Sequence, residues 1–184
     1  MHVAEAQREI RAAYRGGFAG QLVSGLLWAA SAALATWSST RSAIFALVVG
    51  GILIFPLTTL VLRLMPGTPA VSPANPLNGL GAQIAFTLPL GLPVVGAAAL
   101  YRLNWFYPAF MILLGAHYLP FVFLYGMRMF AVLTAVLVSA GLVIGLYADD
   151  SFVTGGWFTA VVLVLFALVG GSLAARAGRG VRPG

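Results

Sequence analysis

Several polar side chains sit inside otherwise apolar stretches of this sequence, and any chemistry the chain performs starts with them. They are Gln21, Ser24, Gln83, Thr87, His117 and Tyr118. A glutamine carboxamide offers a carbonyl acceptor and an amide donor, which suits it to a neutral solute. Leaving either half unmet in hydrocarbon costs several kcal/mol, so each Gln needs a partner. Gln21, Ser24, Trp28 and Ser31 recur at steps of 3, 4 and 3 and form one stripe of a helix; Gln83 and Thr87 form a shorter stripe. His117 is the one side chain of near-neutral pKa deep inside a span, with Tyr118 beside it and Pro120 three residues on. It reads as a solute hydrogen-bond donor or proton-responsive gate, or as a neutral ring bonded in the core to Tyr118 or a Gln. The bland reading of the whole set is helix-to-helix glue.

Arg63 and Arg128 close two spans and are the candidate charges at an inner mouth. Arg128 lies eleven residues after His117, close to three full turns, so an unbroken helix would set both on one face with Phe121. Other chemistries lack their parts. The four acids, Glu5, Glu9, Asp149 and Asp150, all lie outside the spans, which leaves no intramembrane carboxylate pair for acid–base work or proton coupling. There is no Cys, and His2 and His117 belong to different segments, so no metal-ligand cluster and no cofactor is expected. No phosphate-binding loop, dinucleotide fingerprint or nucleophile elbow occurs. The chain is therefore not expected to be an enzyme; the alternative is a lipid-modifying enzyme holding a phosphate on Arg63 or Arg128.

The elements that must position these groups are transmembrane helices. With 61% hydrophobic and 8% charged residues, the chain has too little polar surface for a soluble globule of 184 residues. Its apolar runs are unbroken rather than alternating, which calls for helices and not a barrel. Six spans are predicted, at 17–36, 43–62, 80–100, 105–126, 129–147 and 157–173. The fold class is an all-α integral membrane protein of three helical hairpins, at 17–62, 79–126 and 127–173. A cytoplasmic amphipathic segment (1–16), a Pro-rich loop (63–78) and a basic tail (174–184) complete it. Arg8, Arg11, Arg15, Arg63, Arg128, Arg176, Arg179 and Arg182 fall on one side and only Arg41 and Arg102 on the other. That bias places both termini in the cytoplasm. Trp37, Tyr101, Trp105, Tyr107, Tyr147 and Trp157 cluster at the opposite ends, as an interfacial belt would. The net charge of +6 is explained by topology, so nucleic acid is not an expected partner. Ten Arg without Lys, among much Ala and Gly, point to a GC-rich bacterial genome and its inner membrane. A cleavable signal peptide ending near Ala33-Leu34-Ala35 is the lesser reading of the first run, which is long for a signal core.

The first two hairpins read as a parallel repeat. At an offset of 62, Gly17-Phe18-Ala19-Gly20-Gln21-Leu22 overlays Gly79-Leu80-Gly81-Ala82-Gln83-Ile84; at 64, Gly51-Ile52-Leu53-Ile54-Phe55-Pro56 overlays Gly115-Ala116-His117-Tyr118-Leu119-Pro120. Matching bends at Pro56 and Pro120 follow, and sites in repeat-built membrane proteins gather where repeats meet. The third hairpin is open to reading as a worn third copy. Residues 3–14 form an amphipathic helix with Val3, Ile10 and Tyr14 on one face, expected at the membrane surface. The loop at 65–78, with four prolines, is a semi-rigid linker ending in an Asn78 helix cap.

Two functions follow as expectations. One is a small channel or facilitator for a neutral or weakly charged solute, lined by Gln21, Ser24, Gln83, Thr87, His117 and Tyr118. The other is a non-transporting scaffold or accessory subunit that binds a protein or lipid and uses these groups for packing. Membrane lipids are partners in either case, and a homo-oligomer is compatible with both.

Overall fold

The structure, a computed structural model, describes residues 1–148 and 151–179. The expected outer acids Asp149 and Asp150, and Arg182 of the tail, lie outside the described residues. An N-terminal helix α1 (Val3–Ala13) is followed by α2 (Phe18–Trp37), α3 (Thr40–Leu64), α4 (Asn78–Tyr101), α5 (Phe106–Tyr118), the short α6 (Phe121–Tyr125), α7 (Met129–Tyr147) and α8 (Thr154–Arg179). There is no strand among the described residues. Six stretches are long and apolar enough to cross a membrane, and they coincide with the six expected spans. This is a multi-pass helical membrane protein.

The main contacts between spans run α3 to α2, α2 to α8, α8 to α7, α7 to α5 and α5 to α4, and α5 also touches α8 and, through Trp28, α2. Helices α2 and α5 are the most buried and in that sense central, while α3 and α4 are terminal and supported on one side. Of the most apolar stretch of each, 44% is buried in α2 and in the α5–α6 span, against 11% in α3 and in α4. Glycine makes the central contacts close. A Cβ on Gly25 of α2 would lie 2.9 Å from Val164 Cγ2 of α8, and one on Gly115 of α5 would lie 2.8 Å from Val138 Cγ2 of α7. The same two helices push a leucine outward, Leu27 onto Gly50 of α3 and Leu113 onto Gly91 of α4.

The half of the bundle away from the N-terminus is filled by aromatic rings. Trp28 of α2 packs on Tyr107 and Phe110 of α5 at ring separations of 5.6 and 5.2 Å. Tyr107, expected in the interfacial belt, is instead fully buried, because Gly155 and Gly156 of α8 leave room for its ring. Ser31 Oγ donates to the Ala43 carbonyl at 2.8 Å, so the Tyr107 hydroxyl, 2.6 Å away, must donate to Ser31. Tyr107→Phe keeps the ring and deletes one buried hydrogen bond. Its expected cost is about 1 kcal/mol in thermal unfolding in detergent; unchanged melting would show that the hydroxyl contributes nothing. Trp37, Tyr101 and Tyr147 do stand exposed at helix ends.

The proline expectations separate. Pro56 lies within an unbroken α3, whereas Pro120 falls in the break between α5 and α6. Because of that break, and of Gly126 at φ 62°, Arg128 sits at the start of α7 rather than on a helix shared with His117. The α1 expectation also changes. Ala6, Ile10 and Ala13 face inward, Val3 is exposed, and the helix lies against α6 and the 65–77 loop. Gln7 Nε2 donates to the Phe123 carbonyl at 2.6 Å, and Glu9 accepts from Ser72 N at 2.7 Å and Asn75 Nδ2 at 2.6 Å. No side chain caps α4 as expected of Asn78; Asn75 Oδ1 instead accepts from Leu77 N at 2.9 Å in the turn that leads into the helix. Asn78 is already helical, and its amide donates to the Ser72 carbonyl.

Candidate functional site

The six candidate polar residues fall into three environments. In the bundle's N-terminal half, Gln21 and Ser24 of α2 are buried and look toward α5 and α7. A Cβ on Gly17 would meet Phe130 Cζ at 3.1 Å and Gln21 Oε1 at 3.8 Å, which puts the carboxamide beside the Phe130 ring. Tyr118 and Tyr125 stack on the same ring at 6.1 and 5.2 Å, and the Tyr118 hydroxyl neighbours the Ser24 hydroxyl. Gln21 is 2% exposed, yet neither its Oε1 nor its Nε2 has a hydrogen-bond partner among the described residues. One residue before Gln21, on the neighbouring face, Gly20 faces Thr58 of α3, whose buried hydroxyl is equally unpaired among the described residues.

His117 and Thr87 form the second environment, between α4 and α5. Thr87 Oγ1 donates to the Ile84 carbonyl at 2.7 Å and lies 2.7 Å from His117 Nδ1. A hydroxyl has one proton, so Nδ1 carries its own and donates to Thr87, which leaves Nε2 of the neutral ring as an acceptor. The ring also packs on Tyr118 at 5.6 Å and Phe121 at 5.2 Å. His117 thus ties the terminal helix α4 to the central α5.

Gln83 is alone in the third. It is exposed on α4, one turn before Thr87 at the flank of the α5 contact, and has no hydrogen bond among the described residues. Gln21 and Gln83 hold matching sequence positions but do not converge. Arg63, at the end of α3, and Arg128, just before α7, are both exposed.

The sequence pattern singled out neither Thr58 nor Tyr125, and used Arg15 for orientation alone. Tyr125 was hidden by its place at a span end, where an interfacial role is the default. Arg15 has φ 50°, opens the left-handed corner completed by Gly16 and Gly17, and donates from Nη2 to the Pro66 carbonyl at 2.6 Å. The adjacent Gly-Gly pair was the signal for that corner.

Chemically, Gln21, Ser24 and Tyr118 can give and accept hydrogen bonds but offer no carboxylate or thiol. Among the described residues no group of three or more His, Asp or Glu could hold a metal ion. The profile of one protein family, a family of unknown function designated DUF7010, matches residues 3–170. The chain belongs to the DUF7010 family. No curated protein and no solved structure matches it. The DUF7010 match takes in α1, the first five spans and most of the sixth, so the helix packed beneath the bundle falls within the family's extent.

Proposed function

We propose that this protein is a non-conducting membrane subunit that works by lateral association, with the exposed side of α4 as its contact surface. The observation that carries the reading is Gln83. It stands five residues into α4, about 7–8 Å along the axis, exposed one turn before the α5-contacting Thr87 and with no partner for its amide among the described residues. A carboxamide facing hydrocarbon favours a second helix that can pair with it. The occupant it suits is a transmembrane helix carrying a carboxamide or hydroxyl at the same depth. A second copy meets that requirement through its own Gln83 across a two-fold axis, since one amide donates while the other accepts. The aromatic filling around Trp28 and Tyr107, and the dispersal of the candidate polar residues over three environments, also favour association over conduction.

The absence of Cys makes the test clean. Gln83→Cys in membrane vesicles is expected to give an oxidant-dependent dimer, whereas Leu165→Cys, exposed on α8, should not. Gln83→Leu is expected to weaken association by about 3- to 30-fold, the range of one interhelical hydrogen bond. A chain that stays monomeric in lipid with Gln83 unlinked to any membrane protein would overturn the reading. The second reading, a pocket for a neutral solute at Gln21, is favoured by the two unpaired amide atoms there.

A further inference from the structure

The end of α1, the arginine-bearing end of α3 and the loop after it enclose an open groove of about 390 Å³. We propose that this groove holds one anionic phospholipid, its phosphate against Arg63 and an acyl chain along Leu62 and Phe55. The volume falls within the range of about 300–1,000 Å³ usual for small-molecule sites.

The lining changes from apolar to cationic along one direction. Phe55, Thr59, Leu62 and Arg63 follow one another at steps of 4, 3 and 1, so they share a face of α3. From Phe55 to Arg63 is eight residues, about 12 Å of helix axis. The groove therefore starts in the hydrocarbon zone at an exposed phenyl ring and ends at a guanidinium near the span's end, the same order as acyl chain and phosphate in a lipid. Tyr14 of α1 and Val71 of the loop form the opposite wall.

Charge selects the headgroup. No acidic side chain lines the groove, and Arg63 has no hydrogen bond or ion pair among the described residues. Both acids of α1 are engaged by other groups, Glu5 by the His2 backbone N–H at 3.0 Å and Glu9 by Ser72 and Asn75, just past the lining residue Val71. A second guanidinium stands nearby, because Arg15 reaches the Pro66 carbonyl three residues beyond Arg63. No carboxylate is thus paired with Arg63 where a phosphodiester would lie. An arginine fork suits phosphate oxygens, and Phe55 would have no contact with a free phosphate ion. A zwitterionic lipid would bring its own cation against Arg63 and gain less.

The test is native mass spectrometry of the full chain, offered equal amounts of phosphatidylglycerol and phosphatidylcholine with identical acyl chains. The expected result is a single tightly held phosphatidylglycerol, preferred by at least about fivefold, the factor for one juxtamembrane arginine. Arg63→Gln should bring the ratio close to one, while Arg63→Lys keeps most of it and shows that the fold survives change at this position. Arg128→Gln, an equally exposed arginine at another span end, should leave the preference intact, and so should added inorganic phosphate. Equal binding of the two lipids by the wild-type chain would overturn the proposal. So would a preference lost as fully in Arg128→Gln, which would make it a property of the whole basic face, or one abolished by inorganic phosphate, which would make the groove a soluble-anion site.

Discussion

Gly16→Ala is expected to lower stability by about 2–4 kcal/mol, the larger share from steric overlap. Gly16 has φ 64° and ψ 26°, a left-handed conformation that costs an alanine about 1 kcal/mol. A Cβ there would also lie 2.8 Å from the Gly170 carbonyl oxygen and 3.1 Å from Ala174 Cβ. The clash is with α8 backbone, which has no rotamer by which to move away, and overpacking of that kind typically costs about 1–3 kcal/mol. The approach is reciprocal, since a Cβ on Gly170 would meet the Gly16 carbonyl at 2.9 Å. Two backbones touch at this point, and the corner that seats α1 beneath the bundle depends on it. Gly51→Ala is the matched control, because nothing beyond its own stretch of α3 lies within 4 Å of where a Cβ would stand, and the backbone is helical there. Its expected effect is neutral or stabilising by up to about 1 kcal/mol. The measurement is thermal unfolding of both variants in one detergent. A Gly16→Ala protein that melts with the wild type would remove the close contact with α8 from the account of this fold.

The spans were legible in the sequence because crossing hydrocarbon demands about 20 apolar residues, and Arg, Gly-Gly and the Pro-rich loop punctuate them. The order of packing was not. In a soluble protein hydropathy separates core from surface; in a membrane both the core-facing and the lipid-facing sides of a helix are apolar, so it cannot say which helix has neighbours on both sides. Gln21 and Gln83 make the point. Their local sequences match, yet one is buried on a central helix and the other is exposed on a terminal one. A weaker signal was present, for α2 and the α5–α6 span are the least hydropathic of the six, as helices that trade lipid contact for protein contact can be. The α1 contacts were out of reach for a different reason. Gln7 meets Phe123 and Glu9 meets Asn75, pairs 116 and 66 residues apart, which no local period encodes. The amphipathic pattern was readable, but it could not distinguish a membrane surface from the underside of a bundle.

Gln21→Leu, the other large expected effect, separates the two readings of the buried site. A buried amide with neither half hydrogen-bonded costs about 1–3 kcal/mol on mutational scales, and leucine, of similar size, removes that cost without opening a cavity. The substitution is therefore expected to stabilise the fold by about 1–3 kcal/mol, read as a raised melting temperature in detergent. Gln21→Ala should do the opposite, because it leaves a void between α2 and Phe130. The functional half of the experiment uses the same leucine variant. If the protein works by association through α4, the leucine chain melts higher and cross-links through Gln83→Cys as before. If Gln21 holds a solute, stability rises while solute binding or proteoliposome flux is lost, as when a polar site keeps its unpaired groups for a ligand at the expense of stability. A leucine variant less stable than the wild type by about 1 kcal/mol or more would refute the premise shared by both, because it would mean that the amide is hydrogen-bonded when the protein is in its membrane.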